Sequence, residues 1–451
     1  MEPSVPSYQV FSAATIARGE FTNITDVDAV HRLATAFSPE LAHLKNASAT
    51  VESGSMIPQG CLGPENETPS RLLLKEDFPE VNRTLISLLG LKWLLQDDYE
   101  SFTSGQKADT RLTTESFRRL REFYLTRLPG PDDIYALLVL MVIDDIGKDH
   151  RLLDMVTQAT DDSNATNHSD VVFEAAKLGL IPAVGTLPAN YQSDVLVALD
   201  LGSKLNISQL AQAENIPASL NGLSGLQGYK RAWDLRFMAT FLDVAGAAAH
   251  ASARGCVAMT EAVFQAYITT INILEDFVHG RISSQLVCYN SILEARADAL
   301  IQDGFVPLST SSDDDRALLR LLCMGRVASK DQAGLFQQAF HGLPLALKHD
   351  LVNGLNVNGL SDGVGVIPYY APGLLAVALR NTTDKADASL IRAIQAFMRF
   401  LARVYDGLRP EPGAPSGVIE RDLSFAQDTI KSDTFRENPD ILDETSLPWK
   451  Q

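Results

Sequence analysis

Three aspartates follow the most apolar run of the chain. Asp144, Asp145 and Asp149 come after residues 134–143, which are almost wholly apolar. If one helix continues through them, Asp145 and Asp149 share a face, because they are four residues apart. Carboxylates at the end of a buried helix need a compensating partner, and a divalent cation would neutralise their repulsion. Oxygen ligands favour Mg²⁺, or Mn²⁺, over zinc, so the pattern predicts a magnesium site formed by these three aspartates.

A different interpretation needs no metal ion. The helix could reach solvent at Asp144, where Lys148 would pair with it at the i, i+4 spacing. Gly147 would then mark a kink or the end of the helix. In this case the three acids are solvated surface residues.

A second group of chemical interest occurs about 90 residues later. Arg236, Asp243 and His250 are spaced by seven, so a continuous helix would place them along one stripe. Asp243 and His250 are therefore candidate metal ligands, although a polar ladder among the three side chains is an equal alternative. The small residues 246–249 permit close packing or close approach of a ligand.

Basic residues flank this second group. They are Lys230, Arg231 and Arg254. A diphosphate site needs metal ions on one side of the phosphate oxygens and Lys or Arg on the other. The basic group and the acidic motif together predict such a site, with Asp145 and Asp243 in catalytic roles. Glu275 and His279, also at i, i+4, are a metal pair or, with greater weight, a surface pair.

The elements that must position these residues are mostly helical. Helical periodicity dominates from about residue 76, whereas no run of alternating strands is present. The sequence predicts an all-α fold, a large helical bundle with an irregular N-terminal part. The predicted boundaries are 1–75 for an irregular segment packed on the core, 76–409 for the helical catalytic domain, and 410–451 for a polar tail, on the surface or loose.

Composition excludes several classes of protein. The chain has 38 Lys and Arg against 56 Asp and Glu, a net charge of −18 that argues against nucleic-acid binding. Its 4 cysteines are scattered, so neither a zinc site nor a disulfide framework is predicted. The first residues lack the pattern of a secretory signal, and no apolar stretch reaches the roughly 18 residues of a membrane span. A cytoplasmic protein without a membrane span is expected.

One short motif resembles a known hydrolase motif. The segment VIDDIGKDH is similar to the HDIGK helix of HD-domain phosphohydrolases, with Asp144 where that family has His. The resemblance implies that His31, Asp145 and Asp243 supply the first His, the central Asp and the last Asp. The departure at Asp144 removes a ligand on which that chemistry depends.

A broader resemblance is to class I terpene cyclases. Asp144, Asp145 and Asp149 resemble their Asp-rich motif as DDxxxD, whereas their second metal motif, (N/D)DxxSxxxE, is absent. In length, helical pattern, single acidic motif and nearby Lys, the chain is similar to divergent fungal humulene synthases of tropolone–sesquiterpenoid pathways. The resemblance implies a bundle like the α-domain of class I terpene synthases and Mg²⁺-dependent cyclisation of farnesyl diphosphate to a humulene-like hydrocarbon.

The same resemblance implies roles for individual residues. Lys230 would be the catalytic lysine on the diphosphate, with Arg231 and Arg254 as further diphosphate ligands, and Leu226 one turn earlier would line the pocket. The expected aromatic pocket walls, which would stabilise a carbocation, are Trp233, Phe237, Phe241, Tyr369 and Tyr370. The expected partner is a prenyl diphosphate, and a homodimer is left open. A non-catalytic helical scaffold is the third interpretation, in which the acids are solvated and no magnesium dependence exists.

Overall fold

Helices form most of the protein, as the sequence predicts. The computed structural model describes residues 11–47, 58–160, 167–223 and 228–450, the last without the side chain of Lys450. The first helices are α1 (Ala13–Ala17), α2 (Asp26–Ala36), α3 (Ser38–Asn46), α4 (Pro69–Leu74), α5 (Pro79–Gln96), α6 (Tyr99–Thr103), α7 (Thr114–Arg127), α8 (Pro131–Ile143), α9 (His150–Thr160), α10 (His168–Lys177), α11 (Pro182–Gly185) and α12 (Ala189–Lys204). None of the described helices is long and apolar enough to cross a membrane.

The remaining chain adds further helices and two strands. They are α13 (Ile207–Ala211), α14 (Lys230–Gly246), α15 (Glu261–Val278), α16 (Gln285–Gln302), α17 (Asp313–Met324), α18 (Lys330–His341), α19 (Leu345–Asn356), β1 (Asp362–Tyr369), α20 (Ala371–Arg380), α21 (Asp387–Val404), β2 (Ala414–Asp422), α22 (Gln427–Lys431) and α23 (Asp433–Glu437). Short 3-10 helices cover Ile146–Lys148, Pro217–Leu223, Ser424–Ala426, Pro439–Glu444 and Pro448–Lys450.

The chain divides into two compact units, each made of two segments. Unit 1 comprises Met1–Lys204 and Gly225–Gln265, and unit 2 comprises Leu205–Ser224 and Ala266–Gln451. These boundaries differ from those expected at residues 75 and 409. The change from one unit to the other falls inside α15, a point that local sequence composition does not mark.

Helix α8 ends before the acidic motif. Pro131 occupies its first turn and the Asp133 carboxylate accepts a hydrogen bond from the Gly130 N–H, which fixes its start. The helix stops at Ile143, and a 3-10 turn follows, so the expected helix through Asp149 is not formed. Gly147 explains this turn: a Cβ there would lie 2.1 Å from the backbone oxygen at the start of α10.

Helices α5 and α14 approach closely at a glycine. A Cβ on Gly246 would lie 2.2 Å from Ser87 Oγ and 2.4 Å from the Arg83 carbonyl oxygen. Ser87 Oγ also donates hydrogen bonds to the carbonyls of Leu242, at 2.7 Å, and Arg83, at 3.0 Å. The close packing expected of the small residues near Gly246 is therefore confirmed at that position.

Substitution of Gly246 by alanine is expected to destabilise unit 1. The steric cost of about 1–3 kcal/mol exceeds the gain of about 1 kcal/mol in helix propensity. Chemical denaturation should show a lower free energy of unfolding. Gly334→Ala in α18 is the matched control, since a Cβ there meets nothing within 4 Å and should be neutral or stabilising. Equal stability of the Gly246→Ala variant and the wild type would contradict the close contact.

Helix α14 is shorter than the sequence pattern predicts. It ends at Gly246, and His250 lies in the turn that follows, with its Nδ1 3.0 Å from the Ala247 carbonyl oxygen. The expected stripe of Arg236, Asp243 and His250 is therefore wrong for His250. The prediction assumes a continuous helix from Arg236 to His250, whereas α14 ends at Gly246, where it packs against α5.

Unit 2 contains a parallel pair of strands that the sequence pattern missed. β1 pairs with β2 in the register Val366↔Ile419, with an irregularity between Asp362 and Val364. β2 and the helices after it belong to the segment expected to be a polar tail, so that expectation is corrected. Parallel pairing across about 50 residues leaves no local signature, because only one strand, β1, carries a buried apolar run.

A buried arginine organises the loop before the first 3-10 helix of unit 2. Arg320 is fully buried and donates hydrogen bonds to the backbone carbonyls of Ala213, Asn215 and Leu355. Ala213 has a φ of 52°, so the loop adopts a left-handed turn at this point. Carbonyls that a tight turn leaves without helix partners thus receive a charged donor.

Candidate functional site

Eight charged or titratable side chains meet in unit 1. This charged cluster comprises Glu80 and Arg83 of α5, Asp144, Asp145 and Lys148 after α8, His168 at the start of α10, and Arg236 and Asp243 of α14. The contact of α5 with α14 at Gly246 brings Arg83 opposite Asp243. The close approach of Gly147 to the start of α10 likewise brings His168 to Asp145.

Asp145 is the centre of the cluster. Its carboxylate lies 2.8 Å from Lys148 Nζ, 4.0 Å from Arg83 Nη1 and 3.9 Å from His168 Nε2. Burial alone would raise the pKa of Asp145, but Lys148 and Arg83 outweigh burial and hold it well below the ordinary value. Asp145 is therefore ionised, and Lys148 is its i, i+3 partner rather than the predicted partner of Asp144.

Glu80 forms the buried side of the cluster. Only 2% of its side chain is accessible, and its carboxyl lies 3.0 Å from Arg83 Nη1 and 3.2 Å from Lys148 Nζ. Burial and then the neighbouring Asp145 raise the pKa of Glu80. The pKa of Lys148 is also raised, because Asp145 and Glu80 outweigh the opposing effects of burial and Arg83. The carboxyls of Glu80 and Asp145 thus alternate with the cations of Arg83 and Lys148 in one compact group.

Asp144 and Asp243 form the accessible side. Asp144 Oδ1 lies 2.8 Å from Arg236 Nη1, and Asp243 Oδ1 lies 3.3 Å from Arg83 Nη2. Burial raises the pKa of Asp243, Arg83 opposes this, and Asp145 and Asp144 raise it further. The three carboxylates are therefore close enough to repel one another. Because 41% of the Asp243 side chain is accessible, the cluster opens to solvent here.

Two arginine N–H groups in the cluster lack an acceptor within the part of the chain that the structure describes. Nε of Arg83 and Nε of Arg236 are buried, and neither has a hydrogen-bond partner among the described residues. Unsatisfied buried donors are uncommon in proteins and need an explanation. Arginine N–H groups pair best with carboxylate or phosphate oxygens, so an anionic ligand is one way to satisfy them.

Asp149 does not join the charged cluster. Its carboxylate lies 2.9 Å from His43 Nδ1 of α3 and 3.3 Å from Arg151 Nε. Burial would raise the pKa of Asp149, but hydrogen bonds from His43 and from the side chain and backbone of Arg151 lower it. Asp145 and Asp149 do not share a helix face as expected, because the 3-10 turn between them points their side chains in different directions.

The predicted metal ligands are only partly assembled. Asp144, Asp145 and Asp243 come together, whereas Asp149 and His250 have other partners. Within the part of the chain that the structure describes, no three His, Cys, Asp or Glu side chains are placed to hold a metal ion. As arranged here, cations of the protein itself neutralise the three aspartates.

The predicted basic residues lie elsewhere. Lys230 pairs with Asp234 at 2.5 Å and is 75% exposed. It precedes Asp243 by thirteen residues on α14, a rise of about 20 Å, and its ammonium group pairs with Asp234 rather than with a member of the charged cluster. Arg231 pairs with Asp194 at 2.7 Å. Arg254 lines a separate pocket near Cys61.

The predicted aromatic residues are mainly core side chains. Trp233 and Phe237 pack at 5.2 Å between ring centroids, and Phe241 packs on Phe123 at 5.4 Å, all within unit 1 and buried. Tyr369 and Tyr370 belong to unit 2. Leu226 lies outside the described residues.

Several cluster members carried little signal in the sequence. Lys148 lies within the acidic motif and was considered only as a surface partner. Glu80 and Arg83 lie near the start of α5, and their i, i+3 spacing fits an ordinary surface pair. His168 follows an unpatterned polar loop. Their convergence depends on contacts between helices far apart in the chain, which spacing alone does not reveal.

The fold and the site define an all-α protein with a partly accessible cluster of charged residues in one of its two units. A model of DUF6829, a family of unknown function, matches residues 30–442, and the chain therefore belongs to that family. No curated protein and no solved structure significantly matches the chain.

Proposed function

We propose that the charged cluster of unit 1 is the active site of an enzyme that acts on a phosphate ester, specifically a prenyl diphosphate. One observation carries the proposal: the Nε groups of Arg83 and Arg236, which have no hydrogen-bond partner among the described residues, lie beside Lys148 and three mutually repelling carboxylates. Donors of this kind fit the oxygens of a diphosphate. The clustering of shifted pKa values also favours a functional site.

The reaction that we propose is the ionisation of farnesyl diphosphate and cyclisation to a humulene-like hydrocarbon. Arg83 and Arg236 would hold the diphosphate through their guanidinium groups, and Lys148 would offset its charge. The C–O bond would break with its electron pair on the diphosphate, and after cyclisation the resulting cation would lose a proton to the released diphosphate. Lys148 thus takes the role first expected of Lys230.

Mg²⁺ would supply additional charge neutralisation to the leaving diphosphate. Asp243, the most accessible of the three aspartates, and Asp144 are the residues that would face a cation arriving with the substrate. A cation there would relieve the repulsion that contributes to the raised pKa of Asp243. This arrangement favours ion binding together with substrate over a metal ion held by the protein alone.

The test is incubation with geranyl, farnesyl and geranylgeranyl diphosphates, with and without Mg²⁺. Diphosphate release and gas chromatography of the organic extract are the two readouts. The proposal predicts diphosphate release and a sesquiterpene from farnesyl diphosphate. Lys148→Gln should lower the rate by about 100-fold or more, as expected for loss of one charged group in contact with the leaving group.

Lys204→Gln is the matched control for that variant. Lys204 also pairs with an aspartate, at 2.7 Å, but it is 54% exposed on α12. Its replacement should leave the rate unchanged. Failure of all three substrates to release diphosphate would rule out the cyclase.

A second candidate is a metal-dependent phosphohydrolase. The observation in its favour is the contact of His168 with Asp145, which adds an imidazole beside Asp145 and Asp243. His31, the histidine first expected in this role, is an exposed residue of α2. Release of inorganic phosphate from phosphate monoesters or nucleotides, without a hydrocarbon product, would favour this candidate.

A further inference from the structure

A pocket in unit 1 is lined by residues that do not belong to the charged cluster. Its volume is about 600 Å³, and its lining includes residues 58–61 and 65–68, Arg71 of α4, Ser104 and Arg254. This volume falls within the range of small-molecule sites in proteins. Its lining is more polar than is usual for such sites, which indicates a polar ligand.

Backbone hydrogen bonds fix the wall of this pocket on both sides. Leu62 and Glu67 exchange two backbone hydrogen bonds, at 3.1 and 2.8 Å, which close a short hairpin. The Gln59 carbonyl accepts from the Ala253 N–H at 2.7 Å, which ties the hairpin to the segment after α14. Gly60 is required there, since a Cβ would lie 2.1 Å from the Glu67 backbone. The pocket is therefore formed before any ligand binds.

The charges that line the pocket are balanced and only partly paired. Two are arginines, Arg71 and Arg254, and two are glutamates, Glu65 and Glu67. Arg71 already pairs with Asp77. Neither Arg254 nor Glu65 forms an ion pair with any described residue, and they do not pair with each other. One cation and one anion thus remain available on the same pocket.

Cys61, which also lines the pocket, carries no charge. Burial is the main reason that its pKa is raised to about 11, with Asp26 adding to the effect and Arg254 opposing it. Its thiol is therefore neutral at neutral pH, and its Sγ donates to the Ala253 carbonyl at 3.2 Å. A neutral thiol is a poor nucleophile, so the pocket is suited to binding rather than to thiol chemistry.

We infer that this pocket binds a small zwitterion, with Arg254 on its carboxylate and Glu65 on its ammonium group. A ligand with a single charge would satisfy only one of the two unpaired groups and would face a charge of its own sign in the other. A zwitterion carries one group for each, and free amino acids and dipeptides are of a size that the volume admits. This site is independent of the proposed reaction at the charged cluster.

The experiment measures binding to the full chain by calorimetry and by thermal shift. The probes are the free L-amino acids and L-alanyl-L-alanine, each compared with its N-acetylated and its C-amidated form. At least one zwitterion should bind, and each blocked form should bind at least about tenfold more weakly. Arg254→Gln and Glu65→Gln should each weaken zwitterion binding by a similar factor.

The test is specific because each variant is also combined with the probe that lacks the charge facing the replaced residue. Glu65→Gln should not weaken the N-acetylated probe further, and Arg254→Gln should not weaken the C-amidated probe further, because each has already lost that contact. Arg409→Gln, which removes a 72% exposed arginine of unit 2, is the control and should not affect binding. Absence of binding by every zwitterion, or equal binding of the blocked probes, would overturn the inference.

Discussion

Asp145→Asn is expected to lower turnover of the phosphate ester by at least about 100-fold. The variant loses the anion that holds Lys148 and, at longer range, Arg83 and His168 in place. It is also expected to lower the free energy of unfolding by about 2–3 kcal/mol, somewhat below the effect of breaking a fully buried ion pair, because 17% of the Asp145 side chain is accessible. Steady-state kinetics and chemical denaturation measure the two effects.

Asp200→Asn is the control that distinguishes a specific loss of turnover from the general effect of breaking an Asp–Lys pair. Asp200 pairs with Lys204 on α12, so the control also breaks an Asp–Lys pair, but at the surface. Its stability should change by less than about 1 kcal/mol and its turnover should not change. Kinetics are compared at a temperature at which both variants remain folded. Wild-type turnover in Asp145→Asn would place the active site outside the charged cluster.

Glu214→Gln is expected to remove most of the alkaline destabilisation of unit 2. Burial raises the pKa of Glu214 to about 8, and Glu420 adds to the effect. Hydrogen bonds from the backbone N–H groups of Tyr370 and Ala371, and the charge of Arg326, oppose it. Its Oε1 is buried without a hydrogen-bond partner among the described residues. Ionisation of this carboxyl therefore places a poorly compensated charge in the core.

The direction of the pH effect follows from the raised pKa. The folded state holds the Glu214 proton up to about pH 8, whereas an ordinary glutamate loses it near 4.5. Stability is therefore greatest below the ordinary pKa and falls as the pH rises through the folded value, by at most about 5 kcal/mol. Glu214→Gln has no such proton, so its advantage over the wild type should grow between about pH 5 and pH 9.

Guanidinium denaturation followed by tryptophan fluorescence measures this difference. Trp449 belongs to unit 2, whereas Trp93 and Trp233 belong to unit 1, so single-tryptophan variants separate the units. Glu437→Gln is the control, since Glu437 is an exposed glutamate of unit 2. A pH profile of Glu214→Gln parallel to that of the wild type would show that Glu214 titrates normally.

The sequence predicts the helical class because helix periodicity is local. A local signal of this kind is the cap of α7, where the Thr113 side chain accepts a hydrogen bond from the Ser116 N–H. The end of α8 was missed because it depends on how Gly147 packs against α10. The two strands were missed because parallel partners lie far apart in the chain, and pairing between distant segments leaves no periodic signal.

The candidate site could be predicted only in part for the same reason. Asp144 and Asp145 are predicted because carboxylates after an apolar helix are unusual, and Asp243 from its seven-residue spacing from Arg236 and His250. The structure places the three together. Glu80 and Arg83 were missed, since both are ordinary residues at the start of a helix until α14 packs against it. The predicted role of Lys230 at the diphosphate rests on its charge and on its position near Asp243 in the sequence. It ignores the rise along α14, which separates the two residues.

Calorimetric titration with inorganic diphosphate, with and without Mg²⁺, tests the central claim most directly, because it needs no knowledge of the prenyl chain. The account predicts that the wild type and Lys204→Gln bind diphosphate equally, that Mg²⁺ strengthens binding, and that Lys148→Gln weakens it by at least about tenfold. Absence of binding under both conditions, or equal binding by Lys148→Gln, would contradict a phosphate-ester site at the charged cluster.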